Sequence, residues 1–207
     1  MDFPEGGTPI SHEECDARWR GWTPGEIHDR LAGVTAPWYV AAGWALDLFR
    51  GEVTREHEDL EIAVPRADFP EIRAALPGHA WEVPGDMRLW PYDEAGDHPE
   101  LHQTWLSDPA TGLFHLDVFR EPHDGGLWVC RRDPAITLPY PDIIALTGDG
   151  IPYLIPELVL LFKAKNVRPK DQNDFDGVLP KLGPDRRARL AGWLEQVHPE
   201  HAWLSAL

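Results

Sequence analysis

The sequence predicts an α/β fold, with a mixed sheet and flanking helices over residues 1–150 and a C-terminal helical segment over residues 151–207. Short apolar stretches that alternate with polar residues indicate strands in the first part, most clearly at residues 59–64 and 113–120. After Gly150 the apolar residues recur at helical spacing instead. The 21 prolines and 18 glycines among 207 residues predict short elements with sharp ends.

The first elements are predicted by their start signals. Thr23 can act as an N-cap, Pro24 fits the first helical position and Glu26 completes a capping box, so a short helix is expected here. The apolar residues 38–42 then predict a strand, and Gly43 turns the chain into a second helix.

Asp59 and Glu61 stand two residues apart in the strand predicted over residues 59–64. Side chains alternate along a strand, so both carboxylates point one way while the intervening apolar residues point the other way. Carboxylates about 6–7 Å apart at the backbone can hold divalent cations between them. Backbone N–H groups of the Gly43 turn could receive a phosphate. A metal site and a phosphate site next to each other indicate nucleotidyl transfer. The alternative is that Asp59 and Glu61 only form a solvated face of an edge strand.

The remaining elements follow the same patterns. The spacing predicts a helix over residues 66–76 and weak strand pieces on either side of an acidic loop at 93–100. Turn residues at 107–112 and 124–126 separate the later strands from one another, and the helical segment begins after Gly150. The expected strands are 87–90, 102–106, 113–120 and 127–130, and the expected C-terminal helices are 156–165, 169–179 and 184–197.

Asp117 is the candidate for a third carboxylate. It lies in the middle of the strand predicted over residues 113–120, on the same face as His115 and Phe119. A carboxylate in that position is costly to bury unless a metal or hydrogen bonds compensate it. We therefore expect this strand beside the one that carries Asp59 and Glu61, with structural hydrogen bonding of Asp117 as the alternative.

Composition restricts the partners. The formal net charge of −16 argues against a broad nucleic-acid-binding surface and suits a small cationic substrate, although solubility alone would explain it equally well. No apolar run is long enough for a membrane span, and the N-terminus lacks the apolar stretch of an export signal. Cys15 and Cys130 are therefore expected to be free thiols in the cytoplasm. The oligomeric state is not determined.

Two stretches resemble a known family. Residues 43–47 read Gly-Trp-Ala-Leu-Asp, and residues 53–64 read Val-Thr-Arg-Glu-His-Glu-Asp-Leu-Glu-Ile-Ala-Val. The combination is similar to the nucleotidyltransferase superfamily, and within it to the aminoglycoside 2''-adenylyltransferase and lincosamide nucleotidyltransferase branch, which has Gly-Gly-Trp-Ala, then Thr-Arg, then an Asp-x-Asp strand. The run over residues 151–175 is similar to that branch as well.

The resemblance implies a nucleotidyltransferase fold, an antibiotic-resistance enzyme, and transfer of a nucleoside monophosphate from a nucleoside triphosphate such as ATP with two Mg²⁺ ions. Asp59 and Glu61 match the metal-binding pair, and Asp117 matches the third, catalytic carboxylate. Gly43 and Trp44 match the turn on the triphosphate side.

Three basic residues are further candidates for binding the nucleotide. Arg55 precedes the acidic strand, and Lys163 and Lys165 lie in the helix predicted over residues 156–165. A lysine there can reach phosphate as a point charge. Alternatively, Arg55 is an ordinary surface arginine, and Lys163 and Lys165 are cations that favour the C-terminus of a helix.

The sequence departs from the family pattern at two positions. Glu61 stands where the second metal ligand is usually aspartate, and its extra methylene moves the carboxylate oxygens by about an ångström. Ala42 stands where the first glycine of the Gly-Gly pair is usual. If that position needs a positive φ, alanine is strained there.

Together these observations predict transfer of a nucleoside monophosphate to a hydroxyl of a small, cationic, aminoglycoside-like acceptor. The acidic loop and Trp81, Trp90 and Trp105 are expected to line the acceptor cleft. Two alternatives stay open: a toxin-like enzyme of the same fold that modifies RNA or protein, and a non-catalytic nucleotide-binding or interaction module.

Overall fold

The computed structural model describes residues 3–207, which form short strands and helices. The strands are β1 (Thr8–Pro9), β2 (Tyr39–Val40), β3 (Glu61–Pro65), β4 (Ala80–Gly85), β5 (Arg88–Pro91), β6 (Gln103–Ser107), β7 (Phe114–Glu121), β8 (His123–Asp124), β9 (Leu127–Val129), β10 (Thr137–Pro139), β11 (Ile144–Leu146) and β12 (Pro152–Leu154). The α-helices are α1 (His12–Arg18), α2 (Pro24–Arg30), α3 (Ala42–Arg50), α4 (Phe69–Ala75), α5 (Tyr92–Ala95), α6 (Tyr140–Ile143), α7 (Pro156–Lys163), α8 (Pro169–Val178) and α9 (Pro184–Val197).

The chain divides into two compact units. The first runs up to Val40 and continues over residues 56–123, and the second comprises residues 41–55 and 124–207. The chain passes between the two units near residues 40, 55 and 123, and not at residue 150. The division into a domain over residues 1–150 and a helical segment over residues 151–207 stays a prediction.

The first unit contains a mixed sheet. Its strands follow the order β1-β5-β4-β6-β7-β3-β2. The pair β3 and β7 is parallel, whereas the other paired strands of this unit run antiparallel. The apolar residues of β3 and β7 supply the core of this unit, with Ile62, Val64, Leu116 and Val118 fully buried. The predicted fold class, a mixed sheet with helices, is confirmed.

In the second unit, helices surround the strongly apolar helix α7. Helix α3 packs against α7 and α8, and α9 packs against α7. Six of the eight α7 residues are buried, including the acidic Glu157. Its carboxylate accepts a hydrogen bond of 3.0 Å from Arg186 and another from Arg189, so this buried charge is paired with cations from α9.

The predicted elements agree best where local signals are strong. Thr23 and Glu26 form the expected capping box at the start of α2, and α7, α8 and α9 begin at their predicted prolines. Strand β4 was missed because Pro84 and Gly85, residues typical of turns, lie inside it. Within residues 3–207 no helix is both long enough and apolar enough to span a bilayer.

Candidate active site

Glu61 and Asp117 are direct neighbours across the parallel strands β3 and β7. The register pairs Glu61 with Asp117, and the Asp117 N–H donates to the Leu60 carbonyl at 2.9 Å. Residues paired in register place their side chains on the same face of a sheet, about 4.8 Å apart at the backbone. The predicted adjacency of these two strands is therefore confirmed.

Asp59 lies two residues before β3 and not inside it, because the strand begins at Glu61. The backbone there is held against the segment that leads from α1 to α2. A Cβ atom at Gly21 would stand 3.0 Å from the Cα of Asp59, so a larger residue at position 21 would force the two backbones slightly apart. The expectation that Asp59 belongs to the strand was wrong by two residues.

The Asp117 carboxyl group is almost fully buried, with 2% of the residue exposed. Gln103 of β6 donates a hydrogen bond from its amide Nε2 to Asp117 Oδ2 at 2.5 Å. One oxygen of this buried carboxylate is therefore satisfied by a neutral donor on β6, while the acidic Glu61 is its neighbour on β3. Trp105 is the direct register partner of Asp117 on β6.

His115 precedes Asp117 on the same face of β7 and is held by the segment before α2. Its Nδ1 lies 2.8 Å from the Arg20 carbonyl oxygen, a contact that needs the proton on Nδ1. The ring stacks on Trp22 at 5.4 Å with an interplanar angle of 3°. The imidazole therefore has a fixed orientation on the face of β7 that carries Asp117.

The carboxylates offer hard oxygen ligands, the type that Mg²⁺ prefers. Among residues 3–207 no three His, Cys, Asp or Glu side chains are arranged to hold one metal ion by themselves. Mg²⁺ in phosphoryl-transfer sites usually takes one or two carboxylates and completes its shell with water and substrate phosphates. The register pair Glu61 and Asp117 fits that mode, in which the nucleotide supplies the remaining oxygens.

The predicted phosphate-side turn belongs to the second unit, at the start of α3. Ala42 is the first residue of this helix and has a φ of +48°. Gly43 is buried and Trp44 is half-buried. The preceding residue, Ala41, provides no side-chain cap for the first N–H groups of the helix. The position where the family usually has glycine thus requires the left-handed conformation that alanine rarely adopts.

We expect Ala42→Gly to raise the free energy of unfolding by about 0.5–1 kcal/mol. Removing the left-handed strain at residue 42 should stabilise the folded state by roughly 1–2 kcal/mol. The greater conformational freedom of glycine in the unfolded chain should lower the free energy of unfolding by roughly 0.5–1 kcal/mol. Urea denaturation measures the difference. The control is Ala41→Gly, which has an extended φ of −115° and should lose stability. Equal losses in both variants would contradict the strain at residue 42.

Lys163 of α7 is surrounded by acidic residues of α8. Its Nζ lies 2.8 Å from Asp171 Oδ1 and 2.9 Å from Asp174 Oδ2, and both aspartates are buried. Arg55 Nε lies 3.7 Å from Asp174 Oδ1. These contacts give Lys163 a structural ion-pair role, and a contact of Lys163 or Arg55 with a nucleotide stays a prediction.

Asp171 also receives the guanidinium of Arg168, at 2.7 Å from Nε and 3.2 Å from Nη2. Burial by itself raises the pKa of Asp171, but hydrogen bonds from Arg168 and Lys163 outweigh burial and hold this pKa well below its usual value. Lys165 is solvent-exposed just beyond α7, and its role as a phosphate contact stays a prediction as well.

Two of the three tryptophans expected in the acceptor cleft are core residues instead. Trp81 and Trp90 are buried, at 7% and 1% exposure, and Trp90 belongs to a core cluster with Val83 and Leu101. Trp105 is half-buried and packs edge-on against Trp19. For Trp81 and Trp90 the expectation was wrong, because large aromatic side chains are often used to fill a small core, whereas a place for Trp105 in an acceptor cleft stays a prediction. The acidic residues of the loop at 93–100 are exposed, and their place in an acceptor cleft stays a prediction.

Sequence reasoning missed Gly21 and Gln103. Strand alternation in residues 102–106 already predicted one face for Gln103, but it did not indicate which strand lies beside that face. For Gly21, adjacent to Trp22, the sequence carried no signal of a close backbone approach, because that approach depends on a segment almost forty residues away.

The sequence model of the aminoglycoside-2''-adenylyltransferase family matches residues 25–103. A 2''-aminoglycoside nucleotidyltransferase of Klebsiella pneumoniae is 28% identical over 88 residues, which cover 41% of this chain and 50% of that protein. The chain thus spans about half the length of this curated relative. Asp59 and Glu61 lie inside the family match, whereas Asp117 lies beyond it.

Solved structures agree in fold. The crystal structure of the lincomycin-bound lincosamide antibiotic adenylyltransferase LnuA has a TM-score of 0.52 at 18% identity, covering 83% of this chain and 98% of that one. The structure of ANT(2'')-Ia with adenylyl-2''-tobramycin has a TM-score of 0.55 at 17% identity, covering 84% and 97%. Residues 25–103 are therefore similar in sequence to the aminoglycoside-2''-adenylyltransferases, and the fold of the chain is similar to that of LnuA and ANT(2'')-Ia.

Proposed function

We propose that this protein is an enzyme that transfers a nucleoside monophosphate from a nucleoside triphosphate, ATP in the first instance, to a hydroxyl of a small cationic antibiotic. The observation that carries the proposal is the register pair of Glu61 and Asp117 on parallel strands, with Asp59 just before the first strand. The sequence similarity of residues 25–103 to aminoglycoside-2''-adenylyltransferases supports it.

In the proposed reaction, the acceptor hydroxyl attacks the α-phosphate of the triphosphate and pyrophosphate leaves. Asp117 takes the proton of the attacking hydroxyl, a role that suits a carboxylate held in one orientation by Gln103. Asp59 and Glu61 are the residues that would hold the Mg²⁺ ions, with phosphate oxygens of the nucleotide as further ligands. When bound, Mg²⁺ supplies positive charge next to the transferring phosphoryl group and the leaving pyrophosphate.

The charge of the protein favours a cationic acceptor. The net charge of −16 attracts polyamines at long range and disfavours nucleic acid. Asp97 and Glu100, in the loop after α5, and Glu94 at its end are exposed and available for ammonium groups. Tobramycin is therefore the first acceptor to test, because ANT(2'')-Ia has been crystallised with adenylyl-2''-tobramycin, and lincomycin, bound by LnuA, is the second.

Calorimetry and a pyrophosphate-release assay test the proposal. We expect Mg²⁺-dependent ATP binding, and pyrophosphate release that begins only when tobramycin or lincomycin is added. Asp59→Asn should weaken Mg²⁺-dependent ATP binding by about tenfold or more, roughly 1.4 kcal/mol, at an unchanged melting temperature of the apo protein. Glu58→Gln, which removes one exposed charge beside Asp59, is the matched control and should bind ATP like the wild type.

Each contrary result points to a different function. Binding of ATP without release of pyrophosphate in the presence of any acceptor would support the nucleotide-binding module. Transfer of labelled nucleotide to RNA or protein would support the toxin-like alternative. A lower apo melting temperature for Asp59→Asn with unchanged ATP affinity would make Asp59 a structural residue and contradict its role as a metal ligand.

A further inference from the structure

We propose that a group of cations around Phe162 in the second unit is a binding site for a short phosphate chain, such as pyrophosphate or the triphosphate of a nucleotide. We call this group the Phe162 cluster, and its members are Arg131, Arg132, Lys165, His198 and His201. The inference does not rest on the proposed function, because it concerns binding alone and its test needs neither Mg²⁺ nor an acceptor.

Two arginines of the cluster share one aromatic ring. Arg131 and Arg132 lie in the loop after β9, and their guanidinium carbons are 5.3 Å and 5.5 Å from the centre of the Phe162 ring on α7. An aromatic ring attracts a cation at this distance, but two guanidinium groups at the same ring also repel each other. The arrangement therefore concentrates positive charge at one point of a protein whose net charge is −16.

A hydrogen bond holds this arginine loop beside the end of α9. Gln196, in the last turn of α9, donates from its amide Nε2 to Asp133 Oδ2 at 2.8 Å. Asp133 follows Arg132 directly, and His198 follows the last residue of α9. The ring of His198 lies 6.2 Å from the ring of His201, centre to centre. The arginines and the histidines therefore come together from separate segments of the second unit.

Three cations act on His198. Burial lowers the pKa of His198, and His201, Arg132 and Lys165 lower it further. Lys165 is exposed and lies three residues after Phe162, the residue that carries both arginines. Cations that disfavour a positive charge on this imidazole attract a negative ligand through the same Coulomb interaction.

Three acidic residues adjoin the cluster in sequence. Both Asp133 oxygens accept hydrogen bonds from neutral groups, Oδ1 from the Ala135 N–H at 2.9 Å and Oδ2 from Gln196. Glu195 and Glu200 are exposed, where water and salt screen their charge. A phosphate chain beside the arginines therefore meets no buried carboxylate among these three residues.

Two buried nitrogen atoms at the cluster lack a partner. Within residues 3–207, neither Nε1 of Trp128 nor Nε2 of His198 has a hydrogen-bond partner, although both atoms are shielded from water. Trp128 is fully buried and packs edge-on against Phe162, with the ring centres 6.2 Å apart. An indole N–H only donates, and an imidazole nitrogen that carries a proton donates as well. Acceptor oxygens, of which a phosphate chain has many, are the partners that both atoms lack.

A phosphate chain fits the cluster better than a single carboxylate or a nucleic acid. The planar guanidinium group of arginine pairs with two phosphate oxygens at once, and the cluster has two such groups next to a lysine and two histidines. A long polyanion such as RNA also meets the rest of the strongly acidic protein, which repels it. A short phosphate chain matches the local charge without that cost.

The test is calorimetric titration of the full chain with inorganic pyrophosphate in Mg²⁺-free buffer, for the wild type, Arg132→Gln and Lys165→Gln. Arg30→Gln is the matched control for Arg132→Gln, because Arg30 is exposed and also places its guanidinium over an aromatic ring, that of Trp22 at 4.2 Å, but in the first unit. Lys181→Gln, which changes another exposed lysine of the second unit, is the control for Lys165→Gln.

We expect Arg132→Gln and Lys165→Gln each to weaken pyrophosphate binding by about tenfold, because each removes a charged hydrogen-bond donor. Both control variants should bind pyrophosphate like the wild type. Histidine ring signals in ¹H–¹³C NMR spectra give a local readout: those of His198 and His201, assigned by their loss in His198→Gln and His201→Gln, should shift when pyrophosphate is added.

Competition experiments identify the source of the phosphate chain. ATP that displaces pyrophosphate, and whose own binding is weakened by Arg132→Gln, would identify the triphosphate of a nucleotide as the ligand. Displacement by inorganic tripolyphosphate and not by ATP would identify a free phosphate chain. Either result supports the inference.

Three results would overturn the inference. They are the absence of pyrophosphate binding by the wild type, equal losses of affinity in the cluster variants and their controls, and binding of single-stranded RNA in place of pyrophosphate. None of these measurements involves turnover. A protein that binds pyrophosphate at the Phe162 cluster but transfers no nucleotide would contradict the proposed function only.

Discussion

The Asp117→Asn variant is expected to release pyrophosphate about 10³-fold more slowly than the wild type, or slower still, while it remains folded. Asparagine has nearly the same volume as aspartate, and its side-chain oxygen can still accept the hydrogen bond from Gln103. It cannot take a proton from the acceptor hydroxyl, and as a neutral group it is a poor ligand for Mg²⁺. The loss should therefore appear in kcat.

The assay uses ATP, Mg²⁺ and the acceptor that supports turnover in the wild type, with a thermal melt of each variant. Asp133→Asn is the matched control, because Asp133 also accepts a hydrogen bond from a glutamine amide but lies at an exposed site. It should retain wild-type turnover. Near-normal turnover of Asp117→Asn would exclude Asp117 as the base, and a large fall in its melting temperature would favour structural hydrogen bonding instead.

The second large effect concerns stability. Asp171→Asn is expected to lower the free energy of unfolding by about 3 kcal/mol, because it breaks a buried ion-pair network from one side. Asp171 is 1% exposed and binds both Lys163 and Arg168. After the change, Lys163 keeps its ion pair with the buried Asp174. For a chain of this length the melting temperature should fall by roughly 6–12 °C.

The pH dependence of this difference follows from the direction of the pKa shift. The pKa of Asp171 is lowered by folding from a reference of 3.8, so its contribution is complete above that pH and is lost as the pH falls through the folded-state value. Urea denaturation should give a constant difference between wild type and Asp171→Asn from about pH 5 to pH 8, with a decrease below about pH 4.

The control for this prediction lies on the same helix. Asp176 is exposed and accepts a hydrogen bond of 2.8 Å from Gln172, so Asp176→Asn should change the free energy of unfolding by about 0.5 kcal/mol or less. A similar small effect for Asp171→Asn would mean that the buried network does not stabilise the fold. A difference that persists unchanged at pH 3 would contradict the lowered pKa of Asp171.

Local sequence signals were sufficient for the helices. The capping box at Thr23 and the prolines at the starts of α7, α8 and α9 act within one helical turn, so their meaning does not depend on the rest of the chain. The strands were harder. Strand β4 contains Pro84 and Gly85, and it is held in the sheet by pairing with β5 and β6, which is information that a local pattern lacks.

For the candidate site, too, the sequence predicted the local features and not the contacts between elements. By itself, the sequence determined that Asp117 lies on one strand face with His115 and Phe119, that Glu61 follows Asp59 at a spacing of two, and that the protein is strongly acidic. It also identified Ala42 as the position where a positive φ would be strained, and the structure has that φ. These features follow from residue type and from alternation over a few residues.

Only the tertiary structure decided which groups meet. The register that pairs Glu61 with Asp117, the hydrogen bond from Gln103 to Asp117 and the enclosure of Lys163 by buried aspartates all join different elements. Alternation along a strand specifies a face but not the neighbour across it, since register depends on which strands pair and on the turns between them. Likewise, an ion pair depends on packing between helices, which no spacing along one helix can specify.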